Sequence, residues 1–210
     1  MWAQPKVAVA IFFALIVLCR PVCATNPWEL EVGRATTSPA SFITISFSST
    51  FQTTPVIVAL PTNENSDPAA LRIRNVTTSG FEVALVEPSG NNGVVDLMTF
   101  DYIAATPGIN TLPDGQIIAV GTHTTTTQQA HSTLGITTGW DTVAFGKSFA
   151  PSSAVIASIQ TTNSETSSAP GTPSIPWLTT TMRNANTNDF QVALERAEAA
   201  PGTPIAETIG

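Results

Sequence analysis

The chain has 210 residues, of which 42% are apolar and 11% are charged, and its net charge is −7. This length can bury the core of one large or two small domains. The six lysines and arginines that follow residue 24 are scattered and form no basic stripe, so we expect no nucleic-acid partner.

The first 24 residues predict a secretory signal peptide that is cleaved after Ala24. Lys6 gives a positive N-terminal region, residues 7–19 are uninterruptedly apolar, and Val22 and Ala24 stand at cleavage-type positions. The apolar run is short for a membrane-spanning helix, so we expect no membrane span after cleavage. The alternative is an uncleaved N-terminal anchor. The sequence therefore predicts a secreted or cell-surface protein.

Cleavage at this position removes every cysteine, because Cys19 and Cys23 both lie in the signal segment. Disulfides and thiolate metal sites are thereby excluded from the mature part. All 15 acidic residues follow Ala24, but only 6 of the 8 basic residues do. The mature part therefore has a net charge of −9. This acidity favours solubility outside the cell.

Short alternating runs of β-branched and aromatic residues predict strands along the mature chain. In residues 42–47, for example, Ile43, Ile45 and Phe47 fall on one face, which is a period of two. The turn sequence Pro113-Asp114-Gly115 precedes a later run. Further strands are predicted at residues 55–60, 70–76, 81–87, 97–105 and 116–124. Residues 190–200 have some helical character at their end, but the first half echoes an earlier strand.

Two parts of the chain repeat each other. RNVTTSGFEVALVE (74–87) returns 109 residues later as RNANTNDFQVALER (183–196), and VGRATT (32–37) returns 88 residues later as VGTHTT (120–125). Three phenylalanines are echoed 98 residues later by one tryptophan and two phenylalanines. The growing offset requires two insertions in the second copy, which a shared fold tolerates between strands. The aromatic pairs are Phe42 and Trp140, Phe47 and Phe145, and Phe51 and Phe149, and the insertions are residues 124–139 and 162–176.

This repetition predicts an all-β protein made of two tandem small antiparallel β-sandwiches of about six strands each. The first sandwich is predicted at residues 27–107 and the second at residues 116–210, with residues 108–139 as a connecting and Thr-rich segment. The second copy stops within its sixth predicted strand, one residue before the equivalent of Tyr102. We therefore expect the chain to be a fragment or to end early.

The first copy contains ISFSSTFQTTPVIVAL, then a polar loop, then ALRIRNVTTSGFEVAL and MTFDYIAA. In this order a Phe-x-x-x-Phe step leads through a proline into an apolar strand, followed by a Leu-Arg strand, a Gly-Phe turn and an aromatic-containing last strand. The pattern resembles the H-type lectin module over most of residues 42–105 and, less closely, 140–210. The resemblance implies a six-stranded sandwich that forms trimers and binds galactose-type or N-acetylgalactosamine-type sugars between subunits.

The resemblance also implies that Arg72 contacts sugar, because a guanidinium fork suits a pair of hydroxyls. The second copy has Thr181 at this position. The aromatic sugar platform of the family follows the Gly-Phe strand, where this chain has Glu87-Pro88-Ser89 and no ring. Trp177, after a Pro-rich insertion, is an alternative aromatic contact, and Glu87 is a candidate polar one.

The loop NENSDP (63–68) offers an oxygen-rich set that could hold sugar hydroxyls or Ca²⁺. Pro68 stands where a calcium loop needs glycine, and no bidentate glutamate follows at the right distance. An ordinary solvated turn is the alternative interpretation. The candidate ligand-binding residues of this loop are Asn63, Asn65 and Asp67.

Several residues have structural interpretations beside functional ones. Arg74 shares a strand face with Arg72 and recurs as Arg183, which favours cross-strand pairing with Glu82 or Glu87. Asn75-Val76-Thr77 is a glycosylation acceptor, but its echo in the second copy is not.

Catalysis is not predicted. His123 and His131 lie in no Gly-x-Ser-x-Gly or His-x-x-x-His pattern. A compact six-stranded module also has little room for the deep cleft that glycoside hydrolysis needs. The carboxylates that such a hydrolase would use are Glu82, Glu87, Asp96 and Asp101.

The sequence thus predicts a secreted, non-catalytic carbohydrate-binding or adhesion protein without cofactor or bound metal. Its expected partners are glycans or a cell-surface polysaccharide, with a homotrimer implied by the resemblance. The alternatives are a structural assembly module that binds no sugar and, less favoured, a glycoside hydrolase.

Overall fold

A computed structural model describes residues 28–37, 41–62, 69–87, 97–112, 114–130, 139–150, 154–164, 177–196 and 205–210. These residues form fourteen strands and no helix, which confirms the predicted all-β class. The described part of the chain accordingly contains no helix that could cross a membrane. The predicted signal peptide lies outside the described residues. The strands are β1 (Leu30–Thr36), β2 (Ile43–Ser46), β3 (Val56–Pro61), β4 (Ala70–Arg74), β5 (Gly80–Val86), β6 (Thr99–Ala105), β7 (Gly108–Thr111), β8 (Ile117–Val120), β9 (His123–Thr125), β10 (Gln128–Ala130), β11 (Asp141–Ala144), β12 (Leu178–Arg183), β13 (Asp189–Arg196) and β14 (Glu207–Ile209).

The first copy contains two three-stranded antiparallel sheets. One has the order β1-β6-β3 and the other β2-β5-β4. Alternation of side chains sends one face of each strand into a shared core, as in β6, where Phe100 and Tyr102 are buried while Asp101 and Ile103 are exposed. The buried members of this core are Phe47, Phe51, Ile57, Ala59, Ile73, Phe81, Val83, Phe100, Tyr102 and Ala104.

The second copy has a smaller core and a less regular pairing. Strands β11 and β12 pair antiparallel with β13, β9 pairs with β14, and Ile159 bridges Ile209. Strand β10, inside the Thr-rich insertion, pairs with β13 in parallel and was not predicted from the sequence. The buried residues of this core are Ile159, Leu178, Val192, Leu194 and Ile209.

A hairpin of β7 and β8 lies between the two copies in the chain. Its turn closes with a hydrogen bond from the Gly115 amide to the Leu112 carbonyl, 2.9 Å long. Gly115 has a φ of 86°, which confirms the predicted glycine turn after Asp114.

The strand pairings recur in the same register at the offsets of 88, 98 and 109 residues that the sequence repeat shows. A slip of one residue would send every side chain of a strand to the opposite face, so matching registers preserve the buried set. The repeat is therefore a repeat of strand pairing. The matched pairs are Ala35–Phe100 with His123–Ile209, Ile43–Val83 with Asp141–Val192, Arg72–Ala84 with Thr181–Ala193, and Pro61–Phe100 with Ile159–Ile209.

The doubled phrase begins with an Arg-Asn clamp. In the first copy, Arg74 Nε and Asn75 Nδ2 both donate to Glu82 Oε2, at 2.7 and 3.0 Å. The guanidinium also lies 3.6 Å from the ring centroid of Phe42, a cation–π contact. Asn75 has a φ of 50°, a left-handed conformation that asparagine adopts more readily than most residues. The predicted cross-strand role of Arg74 is confirmed.

The second copy builds the same clamp with a neutral acceptor. Arg183 Nε and Asn184 Nδ2 both donate to Gln191 Oε1, each at 2.9 Å. The guanidinium lies 4.1 Å from the ring centroid of Trp140, and Asn184 has a φ of 53°. The shared phrase therefore belongs to the scaffold in both copies.

The two copies meet at the free edge of β3. The amide of Ile57 donates to Gln160 Oε1 at 2.9 Å, and the amide of Ala59 donates to Ser158 Oγ at 3.0 Å. The Ser158 hydroxyl in turn donates to the Ala59 carbonyl at 3.1 Å. Side chains of the second copy thus satisfy backbone groups that an edge strand would leave unpaired.

Candidate functional site

The structure places Arg72 and Glu87 in the interior. Arg72 is 1% exposed and Glu87 is 0% exposed, and Arg72 Nη1 donates to the Leu71 carbonyl at 3.2 Å. A direct contact with a surface-bound sugar needs an exposed guanidinium, so this burial counts against Arg72 as the primary contact. The strand alternation placed Arg72 and Arg74 on one face, but only Arg74 is partly exposed there.

The other predicted contacts are not gathered around Arg72. Asn63, Asn65 and Asp67 lie outside the described residues. Trp177 is half-buried, and its indole Nε1 donates to the Val86 carbonyl at 3.4 Å. Its ring is thus held against the first copy at the end of β5 rather than displayed alone.

An open depression of about 460 Å³ lies on the first copy where the turn between β4 and β5 meets β2. Five lining side chains carry hydroxyls, one carries an amide and one a carboxylate, and two phenylalanines contribute at the base. The lining residues are Thr44, Ser46, Phe47, Thr50, Asn75, Thr77, Ser79, Gly80, Phe81 and Glu82.

Glu82 supplies the charge of this depression. The hydrogen bond from Arg74 lowers the pKa of Glu82 below its usual value. Partial desolvation opposes this shift, whereas the hydrogen bond from the Asn75 amide and the charge of Arg74 add to it. Both of these donors contact Oε2. Among the residues that the structure describes, Oε1 receives no hydrogen bond, so it can accept one from a ligand.

The turn residues of the depression are held by one another. Thr77 Oγ1 donates to the Gly80 carbonyl at 3.0 Å and lies 3.2 Å from Ser79 Oγ. The amide of Thr77 also donates to the Gly80 carbonyl at 2.9 Å. The hydroxyl groups at this rim are therefore positioned before any ligand arrives.

The second copy has larger side chains at the equivalent positions. Asn186, Asn188 and Asp189 replace Thr77, Ser79 and Gly80. Asn186 Nδ2 donates to Asp189 Oδ1 at 2.6 Å, and a serine hydroxyl, that of Ser148, donates to Asn188 Oδ1 at 2.7 Å. These polar groups bond to each other, so the two copies differ in surface chemistry where they share a backbone. That difference between the copies is visible in the sequence and is the signal that indicates a site there.

The second copy instead contains a His–Asp pair. His123 Nε2 and Asp141 Oδ2 lie 2.8 Å apart, and Thr127 Oγ1 donates to Asp141 Oδ1 at 2.6 Å. Burial raises the pKa of Asp141, but hydrogen bonds from Thr125, Thr127 and His123 outweigh it and lower the pKa below its usual value. In the described part of the chain no nucleophile bonds to the other ring nitrogen, as a catalytic triad would need. The pair joins β9 to β11, and we interpret it as structural.

The remaining carboxylates named for hydrolysis are otherwise engaged or lie outside the described residues. Asp101 accepts two hydrogen bonds from Arg34, at 2.6 and 2.8 Å, which lower its pKa despite a small desolvation. Asp96 and His131 lie outside the described residues. Within the described ranges no group of three or more His, Cys, Asp or Glu residues could hold a metal ion.

Likeness to other proteins gives no functional assignment for this chain. Comparison with known protein families, with characterised proteins and with solved structures found no match.

Proposed function

We propose that the chain is a secreted, non-catalytic carbohydrate-binding or adhesion protein whose first copy binds saccharide in the depression beside Glu82. Its two copies would form tandem antiparallel β-sandwiches similar to H-type lectin modules, at residues 27–107 and 116–210. The repeated strand registers support this arrangement. The expected partner is a glycan or a cell-surface polysaccharide, with no cofactor.

The observation that carries the proposal is an ionised carboxylate, that of Glu82, set among hydroxyls in an open depression, with one oxygen that receives no hydrogen bond from any described residue. Glu82 Oε1 can accept a charge-assisted hydrogen bond from a sugar hydroxyl, which is stronger than one between neutral groups. The hydroxyls of Thr44 and Ser46 can donate to or accept from the same sugar, directly or through water. An open depression suits binding better than turnover, since enclosure from bulk water strengthens the electrostatic interactions that stabilise a transition state.

The residues predicted from the family resemblance have a secondary place in this proposal. Arg72 and Glu87 are buried, so each would need to move before it could touch a ligand. Trp177 is half-buried, and its indole Nε1 donates a hydrogen bond to the Val86 carbonyl. Asn63, Asn65 and Asp67 remain predicted contacts.

The proposal is tested with a glycan array probed by the intact protein and by two matched variants. Thr50→Trp fills the depression from an exposed position, and Ser148→Trp changes the equivalent position 98 residues later. We expect the wild type and Ser148→Trp to bind galactosides, N-acetylhexosamines or a surface polysaccharide, and Thr50→Trp to lose at least about tenfold in affinity, a difference of roughly 1.4 kcal/mol. No glycan binding by the wild type, or equal loss in both variants, would contradict the proposal.

The second candidate function is a structural assembly module that binds no sugar. It is favoured by an exposed apolar sheet face on the first copy. A defined oligomer together with a blank glycan array would support it over saccharide binding.

A further inference from the structure

The segment 48–52 borders the depression beside Glu82. Thr50, at the middle of the segment, lines the depression, and Ser48 and Gln52 stand on either side of it in the chain. All three residues are exposed. Exposed residues have few packing contacts, so the conformation of this segment depends on the hydrogen bonds that its backbone makes.

Two glutamates at the start of the first copy hold the segment on either side of Thr50. Glu31 Oε2 accepts from the Ser48 amide at 2.8 Å and from the Ser48 hydroxyl at 2.7 Å. Glu29 Oε2 accepts from the Gln52 amide at 2.7 Å. Hydrogen bonds to carboxylates are stronger than those between neutral groups, so these bonds fix the backbone that carries Thr50.

Glu31 is itself held from the core of the first copy. Its other oxygen, Oε1, accepts from the buried Tyr102 hydroxyl at 2.8 Å. Burial raises the pKa of Glu31, but the hydrogen bonds from Ser48 and Tyr102 outweigh it and lower the pKa below its usual value. The ionised carboxylate thus accepts from two donors on the segment and one on β6, and it joins the segment 48–52 to the core.

The other side of the segment is bonded to the turn between β4 and β5. The amides of two phenylalanines donate to carbonyls of this turn, and the second copy makes the same two bonds. These backbone bonds therefore belong to the scaffold that the copies share. They run from Phe47 to Ser79 at 3.0 Å, from Phe51 to Thr78 at 2.8 Å, from Phe145 to Asn188 at 2.8 Å and from Phe149 to Thr187 at 2.7 Å.

The glutamate bonds have no counterpart in the sequence of the second copy. At the four equivalent positions, 88 and 98 residues later, that copy has no carboxylate, hydroxyl or amide side chain. The shared scaffold therefore does not require the two glutamates, and they occur in the copy that carries the depression. Ile117 and Ala119 stand at the positions of Glu29 and Glu31, and Gly146 and Ala150 stand at those of Ser48 and Gln52.

We propose that Glu29 and Glu31 are positioning residues for the depression, which hold the segment 48–52 in the conformation that a saccharide meets. Neither glutamate lines the depression, so each acts through the segment. A segment that is ordered before the ligand arrives loses less conformational entropy on binding, which raises affinity. This inference rests on the proposed function and adds to it the residues that give the depression a fixed shape.

The test measures two properties of the intact protein: its affinity for the galactosides, N-acetylhexosamines and surface polysaccharides of the glycan array, and its amide hydrogen exchange without sugar. Glu31→Ala should lower affinity about tenfold, and Ser48→Ala, which keeps the amide bond, about threefold. The double variant should lose no more than Glu31→Ala, because both substitutions remove the same bond. In Glu31→Ala the Ser48 amide, and in Glu29→Ala the Gln52 amide, should exchange at least about tenfold faster, while the amides of β5 keep the wild-type rate.

Glu195→Ala serves as the control, because it removes an exposed carboxylate from the second copy and so changes the net charge equally. It should leave affinity and exchange unchanged. Ser48→Ala alters an exposed side chain, so it tests the bond even where Glu31→Ala loses the fold.

Wild-type affinity in Glu31→Ala and Ser48→Ala overturns the positioning role. Equal loss in Glu195→Ala, which would indicate an effect of net charge, or faster exchange throughout β5, which would indicate general destabilisation, overturns it as well. Losses that add in the double variant contradict the shared bond. A wild type that binds no saccharide removes the proposed function and this role together, whereas a wild type that binds no more tightly than Glu31→Ala removes the positioning role alone.

Discussion

Tyr102 is the only tyrosine of the chain, and its surroundings predict an unusual alkaline titration. The side chain is 6% exposed, and its hydroxyl donates to Glu31 Oε1 at 2.8 Å. Burial, followed by the hydrogen bond to Glu31 and the charge of that carboxylate, raises the pKa of Tyr102 from 10.0 to about 12. Tyrosinate absorbance should therefore titrate near pH 12 in the folded protein and near pH 10 in urea.

This shift has a consequence for stability. Because the folded pKa lies above the unfolded one, the contribution of Tyr102 is fully present below pH 10 and is lost as the pH rises to about 12. A shift of about two units corresponds to roughly 2 to 3 kcal/mol of unfolding free energy. Urea unfolding between these pH values measures the loss, and Tyr102→Phe should remove it while costing about 1 kcal/mol at neutral pH for the lost hydrogen bond.

Two results would refute this reasoning. A tyrosinate midpoint near pH 10 in the folded protein would show that the hydroxyl is solvated and not bonded to Glu31. An alkaline loss of stability that is equally large in Tyr102→Phe would show that another group causes it.

Three further predictions concern stability, each measured by urea unfolding. Gly33→Ala should cost about 1 to 3 kcal/mol, because the new Cβ would overlap the Tyr102 ring. Gly121→Ala at the equivalent position, where a Cβ would meet nothing within 4 Å, should change stability by less than about 0.5 kcal/mol, and equal effects would contradict the close contact. Glu82→Gln should lower the free energy of unfolding by less than about 1 kcal/mol, because the second copy makes the same clamp with glutamine. A Glu82→Gln variant that loses more stability than Glu82→Ala would contradict this. The pKa of Asp141 is lowered from 3.8 in the folded protein, so its contribution to the free energy of unfolding is present above pH 3.8 and is lost as the pH falls through the lower folded value. Asp141→Asn should flatten this loss of stability in acid. An unchanged dependence of stability on pH would exclude Asp141 as its cause.

The strands of the first copy were predictable because their alternation is regular. In β2, Ile43 and Ile45 point inward while Thr44 and Ser46 are exposed, as the period of two indicates. The repeated phrase also predicted that Arg74 pairs across the sheet, because an arginine that recurs together with the same turn in both copies is expected to stabilise the strand pair common to both.

Strand β10 was not predictable in this way. Gln128 and Gln129 lie in a polar Thr-rich run without apolar alternation, and their partners Leu194 and Glu195 are 66 residues away. Parallel pairing over such a distance depends on tertiary packing, which the strand propensity of a short segment does not report.

The burial of Arg72 was also beyond the sequence. Alternation assigns a residue to a face of its strand, but it does not show which part of that face another segment covers. The depression beside Glu82 is similar, because Thr44, Thr50 and Ser79 come from separate segments and converge only in the folded chain. The sequence signal for this depression is a difference between the two copies, because the first copy has the smaller Gly80 at the position where the second copy has Asp189.

An amide-resolved NMR titration of the intact protein with the saccharide that binds best on the array locates the site directly. Saccharide binding in the first copy predicts shift changes concentrated at residues 44–50 and 75–82, with the equivalent residues 142–148 and 184–191 unaffected. No shift changes at all, or changes confined to the second copy or to the surroundings of Arg72, would contradict the assignment of this depression as the binding site.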